Sequence, residues 1–479
     1  MPDAVAARPR RRPLAGIAPA LFALGLAACV AACVAEVAHA AQREPAPAIT
    51  GMDDPARWTP AYWIERAPDA GQVLASPGLI EARNTRLLRE DPSLHDLAAI
   101  GPVLERARVV DWIESISRRP TAPRHDASGA PVPATTFDAL LDALALDAVP
   151  ARQPTRYGLV VRRAALRTFP TGLRVFSTPG DTDIDRFQES ALFPGTPVVI
   201  AHASRDGQWL FVVSPRYAAW IEAGGVAEGD ADTVLGFANR TPFRLVTGAT
   251  AHTVLAPDAP AVSALQLDMG TRLPVADTSP THAVNRQHPG SGHVVEVPVR
   301  DAAGRLALQP ALLPRSADTA DAPLPLTRSN TIAQAFKFLG ERYGWGHDYN
   351  ARDCSGFVSE VYASMGVLLP RNTGDQARSP VLDIQPLDDA GARAAALSTL
   401  QVGDLVYVPG HVMLVIGHAN SEPYVIHDIH GGGQRDADGG VARLRLNGVV
   451  VTTLRSLVFE DGTPYVDRAN AIVRPYAIR

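Results

Sequence analysis

Cysteine is nearly absent from this chain: 479 residues hold three, and only one of them lies beyond residue 40. A disulfide framework is thereby excluded, so stability has to come from packed cores. Charge of one sign is not in excess either. The formal net charge is −5, which gives no basic footprint for nucleic acid. There is no metal-ligand spacing, phosphate-cradling glycine loop or dinucleotide fingerprint, and no cofactor is implied. Long apolar runs are confined to the N-terminus. With 46% hydrophobic and 20% charged residues the chain reads as globular. Its length corresponds to roughly three to four domains.

The N-terminal 40 residues read as an export signal. Arg8, Arg10, Arg11 and Arg12 form a positive region ahead of an apolar run over residues 14–34. Two processing sites compete. Leu26-Ala27-Ala28-Cys29 resembles a bacterial lipobox, in which Cys29 becomes a lipid-carrying N-terminus. Ala38-His39-Ala40 before Ala41 instead fits ordinary signal cleavage. An uncleaved anchor is a third reading, and Arg11-Arg12 leaves a twin-arginine route open. The expected location is the periplasm or cell envelope, with a membrane contact only through a lipid at Cys29, which would tether the protein to the outer membrane.

The remaining cysteine, Cys354, lies in Arg352-Asp353-Cys354-Ser355-Gly356. Phe357, Val358, Val361, Tyr362 and Met365 follow at the spacing of one buried helical stripe, which puts the thiol at a helix start. Unpaired N–H groups and the helix dipole favour a thiolate there, so a lowered cysteine pKa is expected. The bland alternative is an inert buried thiol. Downstream, residues 403–417 read as two apolar strands joined at Pro409-Gly410, with His411 opening the second. Another short strand, Tyr424-Val425-Ile426-His427-Asp428-Ile429-His430, runs into three glycines. Cys–His catalysis needs a base beside the thiol and a polar group that holds the imidazole tautomer. The ordered set Cys354, His411 and His427 supplies both, with His430 as a second candidate for the third role.

At this point the chain resembles the NlpC/p60 peptidoglycan cysteine peptidases. The resemblance rests on Tyr343-Gly344-Trp345-Gly346, Asp353-Cys354-Ser355-Gly356, Leu369-Pro370-Arg371-Asn372-Thr373, Gly403-Asp404-Leu405, His411-Val412 and Val425-Ile426-His427, all in the family's order. It implies Cys354 as nucleophile, His411 as general base, His427 as the group orienting it and Tyr343 beside the oxyanion. Trp345, Ser355, Arg371, Asn372 and Thr373 are implied in the acyl-donor pocket. Two residues depart from the pattern: His347 stands where a second glycine is usual, and Asn372 where aspartate is often found. An acidic residue there can hold a substrate ammonium, and Asp181, Asp183 or Asp185 is expected to compensate for its loss.

The implied fold class is α+β: a papain-like catalytic domain preceded by two small SH3-like β-barrels and a helical cap domain. The expected boundaries are 1–40 for the export signal, 51–150 helical, 155–228 and 237–315 for the barrels, and 326–479 for the peptidase. Short strand runs between turns support the two barrel assignments. Trp58, Trp63 and Trp112 are read as packing residues. The expected function is hydrolysis of peptidoglycan stem peptides at the bond between γ-D-glutamate and a diamino acid. An inactive wall-binding protein, or an amidase or acyltransferase on the same scaffold, is the alternative.

Overall fold

The computed structural model describes residues 48–276, 282–435 and 438–478. The export signal, with Cys29 and both processing sites, lies outside them. Among the described residues no helix is long and apolar enough to cross a membrane.

Residues 156–229 form one antiparallel seven-stranded sheet. Its order is Gln188–Leu192, Ala164–Arg167, Ala218–Glu222, Trp209–Val213, Pro197–Ala203, Arg156–Val160 and Val226–Gly229. Bulges at Leu166/Arg167 and Ile200/His202 bend the sheet. Pro197–Ala203 and Trp209–Val213 are apolar at successive positions because both faces are covered. Leu166, Ile200, Val212 and Ile221 pack together on one face. Phe169, Phe187, Phe211 and Trp220 meet helices Arg106–Ile116 and Ala134–Ala143 on the other.

That packing divides the segment expected to be one helical cap. Val109, Ile113, Phe137 and Leu140 belong to the core of the seven-stranded sheet. Helix Pro77–Glu90 instead sends Ile80 and Leu87, together with Trp63, into the core of the C-terminal region. Arg83 on this helix donates to the carbonyls of Pro475 at 2.6 Å and Leu368 at 3.1 Å. The helices therefore brace two neighbours and do not share a core of their own. Their apolar stripes were legible in the sequence, but the surface that each stripe would meet was not.

Between residues 243 and 320 the strands of the described residues fall into three small sheets around a shared core of Val246, Leu267, Val297 and Leu313. Leu159 of the seven-stranded sheet joins that core. Strand Thr319–Ala320 pairs with Leu245 and Val246, which carries this region past the expected boundary at 315.

The C-terminal region is a six-stranded antiparallel sheet in the order Ile384–Pro386, Ala471–Val473, Leu405–Val408, His411–Ala419, Glu422–Ile429 and Gly448–Thr453. Helices Arg328–Phe336 and Cys354–Ala363 pack on one face, where Val412, Leu414 and Ile416 point. Met413, Val415, Val425 and Ile429 face the other side, with helix Ala390–Leu397 and Tyr465. Helix Arg328–Phe336 is capped by Thr327, which is in extended geometry and accepts the Asn330 N–H through its side chain.

Candidate active site

Cys354 is the first residue of helix Cys354–Ala363, and Asp353 is its N-cap. The Asp353 carboxylate accepts the Gly356 N–H at 2.8 Å, a cap typically worth about 1 kcal/mol of helix stability. As the first helical residue, Cys354 keeps a backbone N–H with no acceptor one turn earlier, which leaves that group free to meet a developing oxyanion.

The expectation of a lowered thiol pKa is corrected by this geometry. The cysteine is only 6% exposed. Burial and the adjacent Asp353 carboxylate push its pKa up, while the Val412 N–H and Arg371 pull the other way and do not win. A helix start favours an anion only where an anion already present does not occupy it. Asp353 is itself held well below the usual carboxylate range by Arg371 and His347, against its burial.

The two histidines meet in the fold. His411 Nε2 lies 2.8 Å from His427 Nδ1, and His427 Nε2 lies 3.1 Å from the Thr452 hydroxyl. Strand alternation accounts for the pairing, because both residues point to the same face from adjacent strands. Burial alone lowers His411 to about 3, and burial with His411 lowers His427. Both rings are therefore neutral near pH 7. If Thr452 accepts from His427 Nε2–H, then His427 Nδ1 accepts from His411 Nε2–H, and His411 Nδ1 is left as an unprotonated base. The Val412 N–H beside it bonds the Cys354 sulfur, which brings the strand start and the helix start together.

His430 is not part of this relay. Its Nε2 lies 3.2 Å from Asp183 of the seven-stranded region, and its ring faces Tyr343 at 5.9 Å. Tyr343 is buried beside Cys354, and burial, with the Asp353 carboxylate nearby, holds its hydroxyl protonated.

The residues implied for the acyl-donor pocket separate into two groups. Trp345, half-buried, donates from its indole to Gln188 O at 3.0 Å and so joins the site to the seven-stranded sheet. Asn372 is exposed, and its amide donates to Asp375 at 3.0 Å, while Thr373 opens the short helix Thr373–Gln376. Ser355 and Arg371 lie beneath the site instead. Arg371 is 3% exposed and donates to Asp353 at 2.8 Å, Ser355 at 2.9 Å and Ser190 at 2.7 Å. It holds the cap of the nucleophile helix.

His347, the departure flagged in the sequence, completes that scaffold. It adopts φ +64, in the region that favours glycine, and its ring is buried. Nδ1 accepts from Arg371 at 2.9 Å, and Nε2–H donates to Glu360 at 3.0 Å. Burial and Arg371 lower its pKa, consistent with the neutral tautomer that these partners require. A Cβ at Gly356 would come within 2.6 Å of this ring, so the glycine two residues after the nucleophile makes room for it. Glu360 in turn pairs with Arg352, which also binds Glu341 and Asp268 at 2.8 Å each.

Asp428, next to His427, was not singled out by sequence reasoning and no local pattern marks it. It is fully buried on the nucleophile-helix face, and neither carboxyl oxygen is hydrogen-bonded among the described residues. Burial, with Asp353 and Glu341 nearby, raises its pKa well above the carboxylate range, so it is a neutral acid near the thiol. Unfolding frees this group to ionise. As pH rises above the ordinary carboxylate value, the unfolded chain loses a proton that the folded chain keeps, and folding stability falls until the folded-state pKa is passed. Asp428→Asn is therefore expected to raise Tm near pH 7, at about 2–4 °C per kcal/mol for a domain of this size. Thermal scans between pH 4 and pH 8 test it: the gain should shrink toward pH 4, and a pH-independent difference would mean that Asp428 is ionised in the fold.

Residues 340–435 match the NlpC/P60 family, and residues 174–222 match the SH3 domain of SH3b1 type. "Probable endopeptidase p60" of Listeria seeligeri is 34% identical over 113 residues, covering 21% of this chain and 19% of that protein. "Probable endopeptidase" of Corynebacterium glutamicum is 33% identical over 119 residues, covering 24% and 49%. The chain thus spans less than half of the length of these curated relatives. An NlpC/P60 endopeptidase structure from Photobacterium damselae subsp. piscicida aligns over 85% of this chain and 94% of its own, with TM-score 0.67 and 17% identity. That likeness is one of fold, and it extends through the α+β arrangement as a whole.

Proposed function

We propose that this chain, which carries an NlpC/P60 domain and an SH3b domain, is an exported cell-wall hydrolase cutting peptidoglycan stem peptides between γ-D-glutamate and a diamino acid. The observation that carries this reading is the 2.8 Å His411–His427 bond on the strand whose Val412 N–H meets the buried Cys354 sulfur. The p60 relatives named as endopeptidases support the reaction class.

In the resting site the thiol and both imidazoles are neutral. Approach of the amide carbonyl lets His411 Nδ1 take the thiol proton as sulfur attacks carbon. His427 accepts from His411 Nε2–H throughout and holds the ring in place as its charge grows. The Cys354 N–H is aimed where the oxyanion forms, with the Tyr343 hydroxyl nearby. His411 then protonates the leaving amine, and water taken up by the same base hydrolyses the thioester. Asp428, kept neutral, adds no negative charge against the thiolate. Incubation with defined stem peptides, with products identified by mass spectrometry, tests the bond. Release of an amino sugar or transfer to an added amine would favour an amidase or acyltransferase, and no turnover at all would favour a wall-binding role.

Of the carboxylates expected from the sequence to hold a free substrate amine, two already have partners. Asp185 is buried against Arg167 at 2.6 Å, and Asp183 is held by Arg342, His430 and Asn447. On the Asn372 side the acids are Asp375 and Glu189. The Tyr217 hydroxyl donates to Glu189 at 2.6 Å and is close enough to Asp375 and Arg371 to feel both charges. Asn372→Asp is expected to raise the kcat/KM ratio of free over N-acetylated L-Ala-γ-D-Glu peptides. Glu189→Gln should lower that ratio roughly tenfold, the size of one hydrogen bond to a charged group. Kinetics on matched peptide pairs decide it, and unchanged ratios in both variants would place the amine elsewhere.

A further inference from the structure

A cleft of about 790 Å³ leads away from the catalytic residues. Its inner end is marked by Tyr465, whose ring lies 6.3 Å from that of His411, and by His430, whose ring lies 5.9 Å from Tyr343. None of Trp345, Asn372, Thr373, Glu189 or Tyr217 lines it. Its inner end thus borders His411 and Tyr343, and its lining is separate from the acyl-donor residues.

The three glycines after His430 form part of the cleft's lining. A side chain at Gly433 would collide with a wall, its Cβ coming to 2.8 Å from Val441, and one at Gly432 would touch the Tyr465 hydroxyl at 3.4 Å. Bare backbone leaves room for a substrate chain. One wall is the loop over residues 178–183 from the seven-stranded region. The other includes the strand Val441–Leu444, on which Gly433 pairs with Arg443. Arg443 on this strand and Arg445, just past its end, both line the cleft. Both are exposed, and among the described residues neither forms an ion pair. Asp181 and Glu460 also line the cleft, so it presents both signs of charge.

We propose that Arg443 and Arg445 form a binding site for a carboxylate on the leaving side of the scissile amide. A guanidinium pair beside an open backbone floor suits a planar anion, which each fork can meet with two parallel hydrogen bonds. Asp181 and Glu460 extend the match to a leaving residue that carries an ammonium beside its carboxylate. This site rests on the peptidase reading above and names what that reading leaves open: the group that the departing half of the peptide must present.

The test uses two stem peptides identical except that the diamino residue's side chain ends in a free carboxylate or in its carboxamide. The wild-type protein is expected to favour the free acid about tenfold in kcat/KM, the size of one hydrogen bond to a charged group. The Arg443→Gln/Arg445→Gln double variant should bring that ratio close to one, whereas Arg443→Lys/Arg445→Lys should keep part of it. Equal turnover of the two peptides by wild type, or an unchanged ratio in the glutamine variant, overturns the site while leaving the peptidase reading intact. If wild type cleaves neither peptide, it is the peptidase reading that fails. Calorimetric titration of Cys354→Ala with the same pair tests the site without turnover, and equal affinities overturn it.

Discussion

Cys354→Ala is expected to abolish stem-peptide hydrolysis, a loss on the order of 10⁴-fold or more, with the fold intact. The substitution removes one buried sulfur at a helix start and leaves the Asp353–Gly356 cap and the Arg371 network in place. Cys354→Ser should be nearly inactive as well. His411 is buried and held to about 3, so as a resting base it is weak, and it can move a proton from a thiol more readily than from an alcohol. Mass spectrometry of products, with circular dichroism as the check on folding, measures both effects. Near-wild-type turnover by Cys354→Ala would remove the nucleophile from the mechanism. The raised thiol pKa adds a separate expectation for the resting protein: alkylation by iodoacetamide should keep accelerating with pH above neutrality, with no plateau between pH 5 and 8.

His411→Ala and His427→Gln are expected to differ sharply. Loss of His411 takes away the proposed acceptor of the thiol proton, and turnover should fall by about 10³–10⁴-fold with little change in KM. A glutamine at 427 keeps an acceptor for His411 Nε2–H and a donor for the Thr452 hydroxyl, the two contacts that His427 makes at 2.8 and 3.1 Å. Its loss should be nearer tenfold, while His427→Ala, which has neither group, should lie closer to His411→Ala. Steady-state kinetics on a defined stem peptide separate the three. Equal and small losses throughout would dissolve the relay, and a larger loss from His430→Ala than from His427→Ala would transfer the orienting role to His430.

The reach of sequence reasoning varied along the chain for identifiable reasons. The helix after Cys354 and the strand opened by His411 are set by apolar periodicity and by Pro409-Gly410, all local signals. Their meeting point could be read from the resemblance because its motifs occur in order. The resemblance implies Arg371 and Ser355 in the acyl-donor pocket, and in the structure their side chains turn inward to Asp353. Neighbours in sequence can face opposite ways, and a burial direction is not encoded in a motif. His347 was visible as a departure, but its partners Arg371 and Glu360 are 24 and 13 residues away, and Phe193 comes from the seven-stranded sheet.

What the sequence determined by itself was the chemistry on offer: one cysteine at a helix start, histidines on following strands, and β runs ahead of them. Such features depend on covalent order and on side-chain period, which are properties of short segments. The tertiary structure alone decided the protonation states and the shape of the site. Burial raises the thiol and lowers the histidines, and the Asp353 and Asp428 carboxyls raise the thiol further. The cleft wall bearing Asp183 comes from a different sheet than the floor bearing His430. Electrostatic energies depend on distance through space and on exclusion of water, and neither is fixed until separate segments pack against one another.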